Sequence, residues 1–214
     1  MTELYDNITA RLRTSGDWVW PFLLRLIMFY EFWTAGMKKL NGNNWFERIE
    51  DKFPFPMNLL STDLNWLLAT WGELVFSMML LVGLFTRFAA FSLIVITTVA
   101  VVTVHWPAEW SSLSQLWEGY VISNNGAGNF RIPLLFALML VPLVFYGGGK
   151  LSLDHIMLKV MGRDAYVQDR ISDLSAAGWA FVVIGVPLLL LVPVWGITLV
   201  VLSLACFMVP ALVK

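Results

Sequence analysis

Ionisable side chains and thiols are scarce in this chain of 214 residues, and both shortages limit its function. Charged residues make up 14% of the sequence, whereas an average soluble domain carries about 25%. Fourteen Lys and Arg balance fifteen Asp and Glu, so no basic excess exists to bind a nucleic-acid backbone. Cys206 is the only cysteine, which excludes an internal disulfide and a Cys-x-x-Cys redox pair. Nucleic-acid binding proteins and quinone-coupled thiol oxidases are therefore excluded.

Apolar residues, in contrast, make up 58% of the chain and are gathered in long runs. A helix needs about 20 apolar residues to cross a hydrocarbon core of about 30 Å, whereas a spanning β-barrel shows short alternating segments. We therefore predict an all-α polytopic transmembrane bundle, preceded by a polar N-terminal segment at 1–16 and with Asp17 capping the first helix. The predicted spans lie at 17–37, 64–85, 87–104 and 132–146, and a further hydrophobic stretch lies at 176–213.

The stretch 176–213 is about twice the length of one span and contains Pro193-Val194-Trp195-Gly196 near its middle. This pattern favours a helical hairpin, which gives six spans in all. One long tilted helix, kinked at Pro187, is the alternative. Before this stretch, three glycines at 147–149 terminate the fourth span, and an amphipathic segment follows at 150–172.

The distribution of Lys and Arg among the short loops predicts the orientation. With the N terminus inside, eight basic residues lie on the cytoplasmic side and five lie outside, so we predict cytoplasmic N and C termini. The inner set is Arg11, Arg13, Arg87, Lys150, Lys159, Arg163, Arg170 and Lys214, and the outer set is Lys38, Lys39, Arg48, Lys52 and Arg131.

Two segments on the predicted outer side, 41–63 and 106–130, are long for a bundle of this size. The first contains Phe53-Pro54-Phe55-Pro56, and the second contains an aromatic stretch at 110–120. We interpret both as a lid over the outer end of the bundle. The alternative is that they are only connectors.

Ionisable residues inside the predicted spans are the main candidates for function, because a charge in the membrane is costly and generally pairs within the bundle. At about 1.5 Å per residue, Arg25 lies about 12 Å from the inner boundary and Glu31 about 21 Å. Glu73 lies about 12 Å below the outer boundary, nearly level with Glu31. His105 closes the third span on the outer side.

The simplest pairing is Arg25 with Glu73, since Arg25 and Glu31 lie on different faces of the first helix. Glu31 then shares the same pocket or reaches Lys38. A structural ion pair that sets helix register is one account of this pairing. The other is a polar pocket, open to the outer half of the membrane, that binds a small headgroup or relays protons. A carboxylate in such a pocket suits a proton acceptor for quinol chemistry. His105 is then either a second proton station or an interfacial histidine with a hydrogen bond.

Haem and metal centres lack the necessary ligands in this sequence. His105 and His155 are the only histidines, and the predicted topology puts them on opposite sides of the membrane, which argues against a bis-histidine haem. Zinc or iron sites with three ligands lack candidates, and no flavin or metal motif is visible. We therefore predict no metal site, and electrons for any redox reaction have to come from a partner protein.

Five short motifs follow one another between residues 20 and 154. They are Leu23-Leu24-Arg25-Leu26, Ala35-Gly36-Met37-Lys38-Lys39-Leu40, Glu73-Leu74, Leu81-Val82-Gly83-Leu84-Phe85-Thr86-Arg87 and Gly149-Lys150-Leu151-Ser152-Leu153-Asp154. In this order and spacing they resemble the DoxX family of bacterial membrane proteins. The positions that correspond to the family pattern are Arg25, Gly36 with Lys39, Glu73, Gly83 with Arg87, and Ser152 with Asp154.

The resemblance implies a four-helix core at 17–154 in the bacterial inner membrane, to which 155–214 add the amphipathic segment and the hydrophobic hairpin. It also implies a link to redox metabolism and the stress response, because the family is named after a thiosulfate:quinone oxidoreductase subunit. Some relatives act in complexes with superoxide-detoxifying and sulfur-transfer proteins, and others accompany pathways that make modified metal-binding peptides. No catalytic residue set is firmly shared by the family.

Two functions follow as hypotheses. In the first, the protein is a redox subunit that binds a quinone between the first three helices and works with a partner oxidoreductase. Glu73, Glu31 and His105 handle protons in this hypothesis, and Arg25 holds Glu73 while Lys39 lies near the headgroup. The side chains predicted to contact the quinone are Phe32, Trp33 and Trp66.

In the second hypothesis, the protein is a non-enzymatic membrane module that anchors or assembles partner proteins, or carries a small solute. The outer segments and the cytoplasmic segment 150–170 would be its docking surfaces. Both hypotheses have membrane lipid as a partner and exclude nucleic acid, and both leave the oligomeric state open.

Overall fold

The computed structural model describes residues 2–122, 128–163 and 173–212. These ranges are helical and contain no strand, which confirms the predicted all-α bundle. The α-helices are α1 (Thr2–Leu40), α2 (Thr62–Val82), α3 (Thr86–Ala100), α4 (Leu113–Glu118), α5 (Arg131–Tyr146), α6 (Leu153–Val160), α7 (Asp173–Leu191) and α8 (Pro193–Leu212).

Length and composition make three of the described helices able to cross a membrane. They are α2, α7 and the continuous helix Thr86–His105, which is α3 extended by a π-helical turn at Val101–His105. α5 and the part of α8 at Pro193–Met208 are shorter apolar helices. Large apolar side chains on α2 point outward, and those of Leu67 and Leu68 are 51% and 54% exposed. Such faces are suited to lipid rather than to water.

The first helix is longer than expected, and the predicted cap at Asp17 is wrong. α1 begins at Thr2, so Asp17 lies inside the helix and 2–16 extend it. Pro21 has no N–H to donate to the carbonyl four residues earlier, which leaves the carbonyl of Asp17 available. The backbone N–H of Lys150 donates to that carbonyl over 3.0 Å, and the Lys150 ammonium lies 3.4 Å from the Asp17 carboxylate.

One compact unit is made of residues 1–43, 66–93 and 136–167. The buried positions of α1 recur every three or four residues and are Pro21, Arg25, Met28, Phe32 and Gly36. Gly36 allows α1 and α2 to approach closely, because a Cβ there would lie 2.8 Å from the Cγ of Leu74. On the same face, the ring of Phe32 contacts that of Phe136 in α5, with centroids 5.8 Å apart.

The other compact unit is made of residues 44–65, 94–135 and 168–214. Its helices α7 and α8 are joined by the single residue Val192 and pack against each other, which confirms the predicted hairpin and excludes one long helix. Glycines allow this contact, since a Cβ on Gly178 would lie 2.7 Å from the ring of Phe207. A Cβ on Gly185 would lie 3.0 Å from the Cβ of Leu199.

Both long outer segments contain short helices and aromatic contacts of their own. The first, 41–63, holds 3-10 helices at Phe46–Lys52 and Met57–Leu59. The second, 106–130, holds α4 and a pair of stacked rings, Trp117 and Tyr120, whose centroids are 4.8 Å apart. Their function as a lid stays a prediction. Residues 123–127, in the glycine-rich stretch, and 164–172, in the amphipathic segment, lie outside the described residues.

Candidate functional site

Backbone carbonyls, rather than a carboxylate, hold the guanidinium of Arg25. Its Nε donates to the carbonyl of Leu80 over 2.7 Å, and Nη2 donates to Leu81 over 2.8 Å. Nη1 donates to the carbonyls of Gly148 at 2.8 Å and Leu151 at 2.7 Å. The side chain is 2% exposed, so these bonds form away from solvent. We call Arg25 and its four carbonyls the arginine clamp, which joins α1 to the last turn of α2 and to the loop after α5.

The turn between α2 and α3 is shaped to fit this clamp. Gly83 has a φ of 69°, a conformation that glycine adopts without a steric penalty. A Cβ there would lie 2.8 Å from the Arg25 guanidinium carbon and 2.6 Å from the Cβ of Ser152. Only a residue without a side chain therefore lets the turn close over Arg25.

Asp154 and Arg87 complete the same end of the bundle, which we call the turn end. The Asp154 carboxylate accepts hydrogen bonds from the backbone N–H groups of Phe85 at 2.6 Å and Thr86 at 2.8 Å, and so caps the start of α3. Arg87 donates to the carbonyls of Val144, at 2.8 Å, and Phe145 at the end of α5. Most of the residues that carry the family resemblance therefore lie at the turn end, where they form or permit hydrogen bonds between side chains and backbone groups.

Replacing Asp154 with Ala is expected to destabilise the protein by about 1 to 2 kcal/mol, because two N–H groups at the start of α3 lose their acceptor. Thermal unfolding of the purified protein in detergent measures this loss. The matched control is Asp51→Ala, which removes the same group from an exposed site and should change stability by less than about 0.5 kcal/mol. Equal unfolding temperatures for the two variants would contradict the cap.

Glu73, in the middle of α2, pairs with Lys39 from the end of α1. The Lys39 ammonium lies 2.8 Å from Oε1 and 2.7 Å from Oε2 of this carboxylate. The two side chains are 18% and 9% exposed, respectively. The predicted pairing of Glu73 with Arg25 is wrong, because Arg25 contacts the last turn of α2 near Leu80, about 10 Å along the helix from Glu73.

An apolar groove of about 510 Å³ lies along α1 and α2, and neither Lys39 nor Glu73 lines it. Leu40 and Leu74, which line it, are neighbours in sequence of Lys39 and Glu73. Trp33, one of the predicted quinone contacts, also lines the groove. The other lining residues are Met37, Trp71, Val75, Met78, Met79 and Val82.

The remaining predicted site residues are not brought into this groove. Phe32 is 5% exposed and belongs to the packing between α1 and α5, and Trp66 lies in the first turns of α2. Glu31 is half-buried and has no ion pair among the described residues. It is not level with Glu73, because it lies about 7.5 Å along α1 from Gly36, and a Cβ on Gly36 would lie 3.3 Å from the Cβ of Glu73.

His105 lies in the second compact unit, in the π-helical turn that ends the third span. Its Nδ1 is 2.6 Å from the side-chain oxygen of Asn129, and its carbonyl accepts the N–H of Asn129 at 2.9 Å. The ring is therefore held in one orientation. In the described ranges, no group of three His, Cys, Asp or Glu residues is arranged to hold a metal ion.

Apolar helices of membrane length, joined by a buried arginine clamp and by an ion pair in the middle of α2, define a helical membrane protein. The DoxX family profile matches residues 20–106. The chain is also 37% identical over 151 residues to an uncharacterized protein of Haemophilus influenzae, a match that covers 71% of this chain and 91% of that protein. No solved structure matches the chain. The chain belongs to the DoxX family.

Proposed function

We propose that this protein is a quinone-interacting subunit of the bacterial inner membrane that works with a partner oxidoreductase. The observation that carries this proposal is the Lys39–Glu73 ion pair, whose sequence neighbours Leu40 and Leu74 line the apolar groove. Glu73 lies about 16 Å from the start of α2 and about 13 Å from its end, so the pair is deep in a candidate span. A buried ion pair contributes little net stability compared with apolar packing, and an ionisable residue at this depth is a functional candidate.

The groove has the chemistry that a quinone requires of a membrane site. Its walls are apolar and include the indole rings of Trp33 and Trp71, which suit an isoprenoid tail and the face of a quinone ring. Polar contacts for the quinone oxygens would come from the ion pair, which the headgroup has to reach past Leu40 or Leu74 because neither Lys39 nor Glu73 lines the groove. Leu40 and Leu74 mark the part of the groove where the headgroup would lie, because each is next in sequence to one member of the pair.

Reduction of a quinone to a quinol consumes two electrons and two protons. The ion pair handles both protons in this proposal. The Lys39 ammonium donates one proton to each quinone oxygen in turn, and after each transfer Glu73 passes a proton from the surroundings back to the Lys39 amine. His105, held by Asn129, is proposed as a separate proton station at the end of its span. A partner oxidoreductase supplies both electrons, because this sequence has no flavin or metal motif.

The same proposal places the turn end in the cytoplasm, with both chain termini on that side. Arg87, Lys150 and Lys159 follow span ends there, as expected for the cytoplasmic face of an inner-membrane protein. The partner docks on the outer segments or on the cytoplasmic segment 150–170. Of that segment, residues 164–170 lie outside the described ranges.

Gentle purification followed by mass spectrometry of extracted small molecules tests the proposal. Wild type should contain about one quinone per chain, and Glu73→Gln should lose about nine-tenths of it, since a single charged hydrogen bond contributes about tenfold in affinity. The matched control is Glu31→Gln, which removes a half-buried carboxylate that has no ion pair among the described residues and should retain the quinone. If all three preparations contain only bulk phospholipid, the quinone site does not exist.

A non-enzymatic anchor is the second candidate function. It is favoured by the number of family-pattern residues that only join helices to each other, such as Arg25, Gly83, Arg87 and Asp154. In such a module these residues maintain the shape of the protein, and no bound redox molecule is needed. Absence of quinone from wild type, together with copurification of one partner protein, would favour this candidate.

A further inference from the structure

A second cavity, of about 400 Å³, lies at the turn end and is distinct from the groove of the proposed function. It is bounded by α6, the start of α3 and the end of α5. The polar part of its wall consists of Thr86, Arg87, Ser152, Asp154 and His155, together with the glycine backbone at 147–149. The rest is apolar and includes Phe88, Tyr146, Met157, Leu158 and Met161. A cavity with one polar and one apolar part fits an amphiphile.

The cavity lies where candidate membrane helices end. α2 ends at Val82, α3 begins at Thr86 and the apolar helix α5 ends at Tyr146. The ring of Tyr146 packs edge-on against Trp20, with centroids 5.6 Å apart. Tyr and Trp are enriched at the boundary between hydrocarbon and headgroups, so this pair indicates the level of the lipid headgroups.

Two charged side chains of opposite sign, Arg87 and Asp154, line the cavity. Arg87 is exposed, and among the described residues no carboxylate lies within 4.0 Å of its guanidinium. Nη1 of Arg87 donates both of its hydrogen bonds to carbonyls, and these bonds do not involve Nε or Nη2. The nearby Asp154 carboxylate uses both oxygens to cap α3. An anion with several oxygens, such as a phosphate, is the complementary ligand for a guanidinium in this position.

α6 would give a lipid direct access to the cavity. This helix is amphipathic, and its outer face exposes Ile156 by 55% and Val160 by 82%. An apolar face exposed at the level of the headgroups is typical of a helix that lies in the membrane interface. Met157 and Leu158 of the same helix line the cavity, so acyl chains beside α6 are continuous with its apolar part.

We propose that this cavity binds the phosphate headgroup of an anionic phospholipid, with Arg87 as its cation and the apolar wall against its upper acyl chain. Basic pockets between membrane helices at the cytoplasmic face bind anionic lipids in this way. The inference does not rest on the quinone proposal, because the two sites share no lining residue. Either proposal can therefore fail without the other.

Native mass spectrometry of the delipidated full chain, titrated with phosphatidylglycerol or phosphatidylcholine, tests this site. Wild type should retain one phosphatidylglycerol with a Kd about fivefold lower than that for phosphatidylcholine, as expected for one cation at the membrane surface. Arg87→Gln should abolish this preference. Arg48→Gln, which removes an equal charge from an exposed position in a 3-10 helix, should leave it unchanged. Equal binding of the two lipids by wild type would overturn the proposal.

Two further variants separate lipid binding from folding, since Arg87 also caps α5. Arg87→Lys keeps the charge and should retain most of the preference. Leu158→Trp fills the apolar part of the cavity and leaves Arg87 unchanged, so it should lower the affinity for phosphatidylglycerol about fivefold or more. Unchanged affinity would overturn the proposal, even if Arg87→Gln cannot be purified. Displacement of the lipid by millimolar inorganic phosphate would also overturn it, because the ligand would then be a soluble anion.

Discussion

Replacing Arg25 with Gln is expected to prevent the protein from accumulating in a folded form. The guanidinium donates to four backbone carbonyls, and Gln cannot reach all of them. Each buried polar group left without a partner costs about 1 to 3 kcal/mol, so the loss should exceed about 4 kcal/mol. That is comparable with the whole stability of an ordinary domain, about 5 to 15 kcal/mol. Size-exclusion chromatography of detergent extracts, followed by thermal unfolding, measures the effect.

Arg25→Lys and Arg48→Gln are the controls for this experiment. Lys keeps the charge but lacks the planar group that spans the end of α2 and the loop after α5, so it should give an intermediate loss. Arg48 is exposed, and its substitution should leave the elution profile and unfolding temperature unchanged. A monodisperse Arg25→Gln protein that unfolds at the wild-type temperature would show that the clamp is dispensable.

The second large loss of stability is expected when either member of the Lys39–Glu73 ion pair is replaced. Either Glu73→Gln or Lys39→Met leaves one buried charge without its partner, which should cost about 3 kcal/mol. The double variant removes both charges and should recover most of this loss, because replacing a buried pair with neutral groups is often nearly neutral. Unfolding temperatures of the four proteins give the coupling between the two sites. Additive losses would contradict a direct pair.

The double variant also separates structure from function. It should fold like wild type and still fail to retain quinone, because neither a proton donor nor an acceptor is left beside the groove. A folded double variant that retains quinone at the wild-type level would show that the ion pair only sets helix register. The quinone measurement on this protein is therefore more informative than the same measurement on Glu73→Gln alone.

The fold could largely be predicted from the pattern of apolar residues. Runs of membrane length identify α2, α3, α5 and the hairpin of α7 and α8, and the composition around Pro193 indicates where the hairpin turns. The start of α1 could not be predicted, because 2–16 are polar and have no apolar run to mark them as helical. Their helical conformation continues that of the more apolar part of α1.

The partner of Arg25 illustrates what the sequence does not reveal. A search for opposite charges leads to Glu73, since carboxylates can be recognised by residue type. The true acceptors are carbonyls of Leu80, Leu81, Gly148 and Leu151, and a carbonyl is present at every position. The sequence does contain one indication of these contacts. At Gly83 and at the glycines 147–149 the backbone has no side chain, so another side chain can approach it closely. Glycines at these positions, however, are usually interpreted as helix ends and not as places where carbonyls accept hydrogen bonds from an arginine.

The arginine clamp also constrains the order of events during synthesis. Two acceptors of Arg25 lie in α2, but the last one, Leu151, is 126 residues further along the chain. At about 5 to 20 residues per second, the ribosome needs roughly 6 to 25 s to add those residues. Throughout that time the first helix carries an arginine whose partners are incomplete. Water, lipid headgroups or another protein must therefore solvate this charge until the loop after α5 has been synthesised.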